Sequence, residues 1–181
     1  TARFEKGGPP PLRSADQPFG LEGLTQRQYK QLHFGNRLLM VLLRLVALVV
    51  VRGGCAFVEH PAFPVWAARH KPPRVWRLSV LKALIELACA LLMTFDQCVT
   101  GQHARKPTSL LLCRMPETFM ALRAKGDNGR CHHGPNAHVA AIGRTNDGSF
   151  RTTPLKTYTG VLCQALAQGF VAHARRVFAQ K

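Results

Sequence analysis

Glu59 lies in Phe57-Val58-Glu59-His60-Pro61, and it is one of nine acidic residues in a chain with 25 lysines and arginines. A carboxyl group just after a short apolar run is where a strand opens into a loop, a usual place for a group that meets a ligand. Arg105, in Gln102-His103-Ala104-Arg105-Lys106, precedes another apolar run and could meet a base edge, a phosphate or solvent. The densest basic stretch holds Arg69, His70, Lys71, Arg74 and Arg77, interleaved with Trp66 and Trp76. Nucleic acid would be expected there and at Arg105 and Lys106. The two tryptophans could stack on bases, although pinning the proline-rich loop to the domain is the preferred role. Cys131-His132-His133 with His138, and Cys113 upstream, supply soft donors for zinc. Their spacing matches no standard finger, a loop lying on nucleic acid accounts for them equally well, and no metal is assigned. Cys98 with His103 nearby has the composition of a nucleophile and base, but a reactive thiol needs a lowered pKa, and packing as a small hydrophobe is preferred.

These groups need a frame, and the apolar pattern supplies one. Prolines and glycines punctuate residues 1–24 too densely for a regular element, so that segment reads as a loop and residues 25–181 as the folded part. Thr25-Gln26-Arg27-Gln28 fits a capping box. A helix is therefore predicted to about Val51, stopped by Gly53-Gly54, with Leu32, Leu39, Leu42, Leu43 and Val46 facing inward. Cys55–Val58 reads as a buried parallel strand. Residues 62–77, with Pro64, Pro72 and Pro73, read as an ordered loop. Ser79 opens a helix to about Ala88. Leu91–Phe95 and Thr108–Cys113 read as buried strands paired antiparallel. Residues 125–153 read as a long surface loop. A last helix from about Leu155 would turn Leu162, Leu166, Phe170, Ala174 and Phe178 inward.

An apolar content of 46% argues against wholesale disorder and suits a single domain. The net charge of +16 makes a field that attracts polyanions. Nucleic acid is the partner class this favours, although acidic parts of a longer polypeptide could restore the balance. The chain opens on Thr1, reads as excised from such a polypeptide, and shows no basic-then-apolar leader. Its six cysteines form no CxxC pair, which points to a reducing, intracellular compartment. The 14 residues Leu38–Val51 are apolar apart from Arg44. They fall short of the roughly 20 needed to span a bilayer, so a buried helix and no membrane partner are expected.

Five blocks occur in order: PLRSADQPFGLEGL (Pro11–Leu24), FVEHP (Phe57–Pro61), FDQC (Phe95–Cys98), RKPTSLLL (Arg105–Leu112) and TYTGVLCQALA (Thr157–Ala167). Together they resemble a family of open reading frames associated with eukaryotic retroelements, whose core is similar to a DNA cytosine-5 methyltransferase. The resemblance implies an α/β chain with part of a Rossmann-like methyltransferase fold: a parallel strand or strands, then an antiparallel pair, with flanking helices. It also implies that Glu59 hydrogen-bonds the target base and that Arg105 serves the cytosine carbonyl and the nucleophile. His60 stands where the family usually has Asn, and Gln-His-Ala-Arg-Lys where it has Gln-x-Arg-x-Arg. The family's Pro-Pro-Cys nucleophile would precede Thr1, and no glycine-rich cofactor turn is visible. S-adenosylmethionine is thus implied for the full-length domain and not expected on this chain alone. The expected function is the carboxyl-terminal part of a nucleic-acid cytosine-5 methyltransferase-like protein, inactive by itself. Its expected partners are DNA, ahead of RNA, and the missing amino-terminal half, in an intracellular compartment that includes the nucleus. The alternative is a noncatalytic, basic nucleic-acid-binding or structural module of a mobile-element polyprotein.

Overall fold

The computed structural model describes residues 11–62, 75–134, 136–139, 148–149 and 153–179. Helix α1 spans Gln26–Val51 behind the expected capping box. Thr25 Oγ1 accepts the Gln28 N–H at 3.4 Å, and Gln28 Oε1 accepts the Thr25 N–H at 2.9 Å. The chain leaves the helix through Gly53, whose φ of +83° suits a residue without Cβ. A 3₁₀ turn at Val75–Arg77 leads to α2, Ser79–Ala88, which buries Leu81, Leu84 and Ala88 at helical spacing. These two helices belong to one compact unit; Gly53–Ala62 and Cys89–Lys181 make up the other.

Helix α1 departs from the buried helix expected of it. Leu32, Leu43, Val46 and Val50 are buried, but Leu38, Leu42 and Leu45 are 55%, 39% and 56% exposed. From Leu38 onward apolar side chains surround the helix, whereas packing needs only one stripe of them. By length and composition alone α1 meets the requirement for a membrane span, with a mean hydropathy of 2.1 over its best 18 residues. The apolar run beginning at Leu38 is only part of this helix.

The second unit is built on a sheet of β1 (Ala56–Pro61), β2 (Leu91–Asp96) and β3 (Pro107–Cys113), in the order β1-β3-β2. Both neighbours run antiparallel to β3, with Glu59 opposite Leu110 and Phe95 opposite Thr108. The β2–β3 pairing is the one expected. The Cys55–Val58 strand also exists, but it pairs antiparallel, and no two strands pair in parallel among the described residues. Leu110-Leu111-Leu112-Cys113 are all buried, as suits the central place of β3 in the sheet. β2 is an edge strand, and its first two leucines are exposed rather than buried. Pro61 fits the other edge, where no ladder hydrogen bond is lost to its missing N–H.

Two helices cover one face of this sheet. Helix α3, Pro116–Arg123, is additional to the elements expected from the sequence, although Pro116 at its first position and Glu117 in its first turn are start signals. Helix α4 runs Gly160–Ala179, after a 3₁₀ turn at Thr153–Lys156, with Thr159 Oγ1 accepting the Leu162 N–H at 3.3 Å. Leu162, Ala165, Leu166 and Gly169 face the core with Met93, Phe95, Leu110, Leu112, Met115 and Leu122. Phe170 and Phe178, expected inside, are 41% and 71% exposed. Steps of four residues overshoot a full turn by about 40° each, so a long series of them leaves the buried face. Helices α3 and α4 meet at Gly169, where a Cβ would collide with Thr118 and Met115. There the Thr118 hydroxyl donates to the Ala165 carbonyl at 2.9 Å.

Candidate functional site

Glu59 sits within β1 rather than beyond its end, because pairing with β3 continues to Pro61 opposite Thr108. Its Oε1 is buried, accepts no hydrogen bond, and has Lys106 Nζ at 3.9 Å. Lys106 also donates to the Leu155 carbonyl at 3.3 Å. Tyr158 belongs to the same neighbourhood: burial first, and then the Glu59 charge, hold its phenol above the usual range. The His60 ring donates from Nδ1 to the Pro61 carbonyl at 2.8 Å on the exposed side. The local result is a half-buried carboxylate paired with an ammonium, its charge felt by the Tyr158 phenol.

Arg105 points elsewhere. Its Nη2 lies 3.2 Å from Oδ2 of Asp96, a carboxylate with no solvent exposure at the end of β2. The hydrogen bond it donates to Asp96, then the charge of that carboxylate, hold the guanidinium above its ordinary pKa. The same Oδ2 accepts the Cys131 N–H at 3.0 Å. Consecutive cations, Arg105 and Lys106, thus go to different carboxylates, Asp96 and Glu59. Glu59 and Arg105, both expected at the target base, each have a different ion-pair partner. Of the basic stretch, Arg77 is exposed at the end of its 3₁₀ turn, while Arg69, Lys71, Arg74 and Trp66 lie outside the described residues.

Cys98, Cys131, His133 and His138 bring four donor atoms together, all within 4.8 Å of one another. Cys131 Sγ is 3.4 Å from His133 Nδ1 and 3.0 Å from His138 Nε2. Two donors named from the sequence do not belong. Cys113 is buried in β3 opposite Ala56, and the His132 ring instead lies tilted against His133 with centroids 4.7 Å apart. The group also takes in Cys98, for which packing is the role expected from the sequence. Burial, with the Cys131 thiol and the Asp96 charge, pushes the Cys98 thiol up to about 12. A thiol so placed is protonated at neutral pH and unsuited to nucleophilic attack.

Backbone geometry builds this group. Asp127, Asn128, Gly129 and Arg130 form a tight turn with φ of +51° and +83° at its two central residues. Asn-Gly favours that conformation. The turn presses Gly129 onto β2, where a Cβ would come within 2.8 Å of Met93 Cε and 3.1 Å of Phe95 Cβ. The Gly129 carbonyl accepts the Asp96 N–H at 2.9 Å. Cys131 is thereby delivered to the 3₁₀ turn Gln97–Thr100 that carries Cys98. A groove of about 240 Å³ between α1 and α2 is lined mainly by apolar side chains, Met40, Leu43 and Leu84 among them, with no titratable group other than Arg44. Comparisons with family models, with curated proteins and with solved structures find no match to this chain.

Proposed function

We propose that this chain is a basic nucleic-acid-binding module, the carboxyl-terminal part of a cytosine-5 methyltransferase-like protein, and that it transfers no methyl group by itself. The observation that carries the reading is the charge: 25 lysines and arginines against nine acids, a net +16. Ion pairing leaves that surplus untouched, because even pairing all nine acids would leave 16 cations unmatched. Three salt bridges, Arg105–Asp96, Lys106–Glu59 and Arg176–Glu117, occur among the described residues. The methyltransferase-like part rests on the ordered sequence blocks, supported by the order of elements: helix, strand carrying Glu-x-Pro, helix, antiparallel strand pair. The separation of Arg105 from Glu59 favours a binding role over a complete reaction centre.

Fluorescence anisotropy of the chain with labelled duplex DNA, single-stranded DNA and RNA over a salt series tests the proposal. Affinity should be sequence-tolerant, and its logarithm should fall linearly with the logarithm of salt concentration, with a slope of about −0.9 per neutralised phosphate on duplex DNA. No binding to any of the three at low salt would overturn it.

One observation favours a catalytic-side reading: Glu59 Oε1 is buried without a hydrogen bond, as an acceptor reserved for a base would be. A carboxyl group at the edge of an extruded cytosine would stabilise charge developing on the ring. In the parent polypeptide, labelled methyl transfer from S-adenosylmethionine to DNA should disappear in Glu59→Gln. Unchanged transfer would remove that role from Glu59.

A further inference from the structure

We propose that Cys98, Cys131, His133 and His138 form a structural zinc site. Two thiols and two imidazoles are the donor set zinc takes in closed, four-coordinate sites. Metal–ligand distances of about 2.3 Å to sulfur and 2.0–2.1 Å to nitrogen give tetrahedral edges of about 3.3–3.8 Å. The observed 3.0 and 3.4 Å contacts lie close to that range, and all four donor atoms fall within 4.8 Å of one another. Side-chain movements of up to about 1 Å would bring all donor pairs into the tetrahedral range. Soft sulfur donors disfavour magnesium and calcium, and a tetrahedral S₂N₂ set selects zinc among the common ions.

Both segments that carry the donors are positioned independently of any ion. Cys98 is buried in a 3₁₀ turn closed by Gly101, at φ +101°. The Cys131 N–H is held by Asp96 at 3.0 Å, and the Val139 N–H, just past His138, is held by the His103 carbonyl at 3.2 Å. Between these ties, His132, His133, Gly134, Asn136 and Ala137 are exposed and bury nothing that would hold the segment down. A stretch without a core of its own is where a metal ion substitutes for one. Four protein donors leave no open position, so the ion would staple the segment to the end of β2 and perform no chemistry. His133 and His138 already meet edge to face, with ring centroids 5.3 Å apart, and the ion would fix both rings. Each thiol would release its proton on coordination. Because Asp96 holds both Cys131 and Arg105, the staple would also steady Arg105.

The test is metal analysis of the purified chain under reducing conditions, together with cobalt(II) titration. One equivalent of zinc per chain is expected, and cobalt should give the intense visible absorption and the thiolate charge-transfer band of a tetrahedral two-sulfur site. Cys98→Ser, Cys131→Ser, His133→Ala and His138→Ala should each weaken binding at least tenfold. His132→Phe and Cys163→Ser should retain it. The cobalt spectrum of the unaltered chain gives an answer even if a variant does not fold. Substoichiometric zinc, an octahedral cobalt spectrum, full binding by Cys98→Ser, or a Cys98–Cys131 disulfide in the reduced preparation would overturn the site. None of these readouts involves nucleic acid, so failure here and failure of the binding proposal are distinguishable.

Discussion

Asp96 shows how much one residue can organise. Its side chain is fully buried, and its Oδ2 takes both the Arg105 guanidinium and the Cys131 N–H. A buried carboxylate is tolerable only while its partners remain, and an unmatched one costs far more than the pair contributes. Replacing it leaves the Cys131 N–H without its acceptor, at a cost of about 1–3 kcal/mol. Asp96→Ala should therefore lower the midpoint of thermal unfolding followed by circular dichroism, whereas Glu22→Ala, on the exposed loop before α1, should not. Equal midpoints for the two variants would show that Asp96 carries no such burden. Gly129 is constrained twice at the same place, by a φ of +83° and by its approach to Met93 and Phe95.

At the scale of elements, the α3–α4 pair is fastened by Arg176, whose guanidinium meets the Glu117 carboxylate and also donates to the Arg114 carbonyl. Burial acts to raise the Glu117 pKa, but the hydrogen bond from Arg176 and the surrounding positive charge outweigh it, and the net shift is downward. A carboxyl group with a depressed folded-state pKa stabilises the fold above its unfolded pKa, near 4.5. That contribution is lost as pH falls through the folded value. Between pH 7 and pH 3, then, the unaltered chain should lose more thermal stability than Glu117→Gln does, by a small margin because both side chains are partly exposed. Identical acid sensitivity would show that the pair does not contribute. On α1, Leu43→Ala should cost about 2–5 kcal/mol as a buried truncation. The 55% exposed Leu38 should tolerate Ala within about 0.5 kcal/mol. Denaturant unfolding would separate the two, and equal costs would mean that Leu38 is covered in solution.

For the whole molecule, the surplus of 16 positive charges is a cost as well as a means of attraction. Like charges on a compact chain repel across distances that salt screens, with a Debye length of about 10 Å at 0.1 M. Raising sodium chloride from tens to hundreds of millimolar should raise the thermal midpoint while weakening nucleic-acid binding. A midpoint that falls with salt would mean that attractive pairs, not repulsion, dominate the folded chain.

The elements were legible because their signals are local. Thr25 and Gln28 cap a helix within one turn, Gly53 ends it, and the Leu110–Leu112 run marks a buried strand whatever lies around it. Asn128-Gly129 and Met115-Pro116-Glu117 carried signals of the same kind for the turn and helix that the sequence reading passed over. Strand order was not legible: an apolar run does not specify its neighbours, and only packing made β3 central and both of its partners antiparallel. The partners of charged and metal-binding groups were no more accessible. Arg105 meets Asp96, and Cys131 meets Cys98 rather than Cys113. Residues far apart along a chain are brought together by the path of the backbone between them, and here that path turns on Gly129 pressed against β2. The sequence determined which side chains could do chemistry; the tertiary structure alone decided which ones meet.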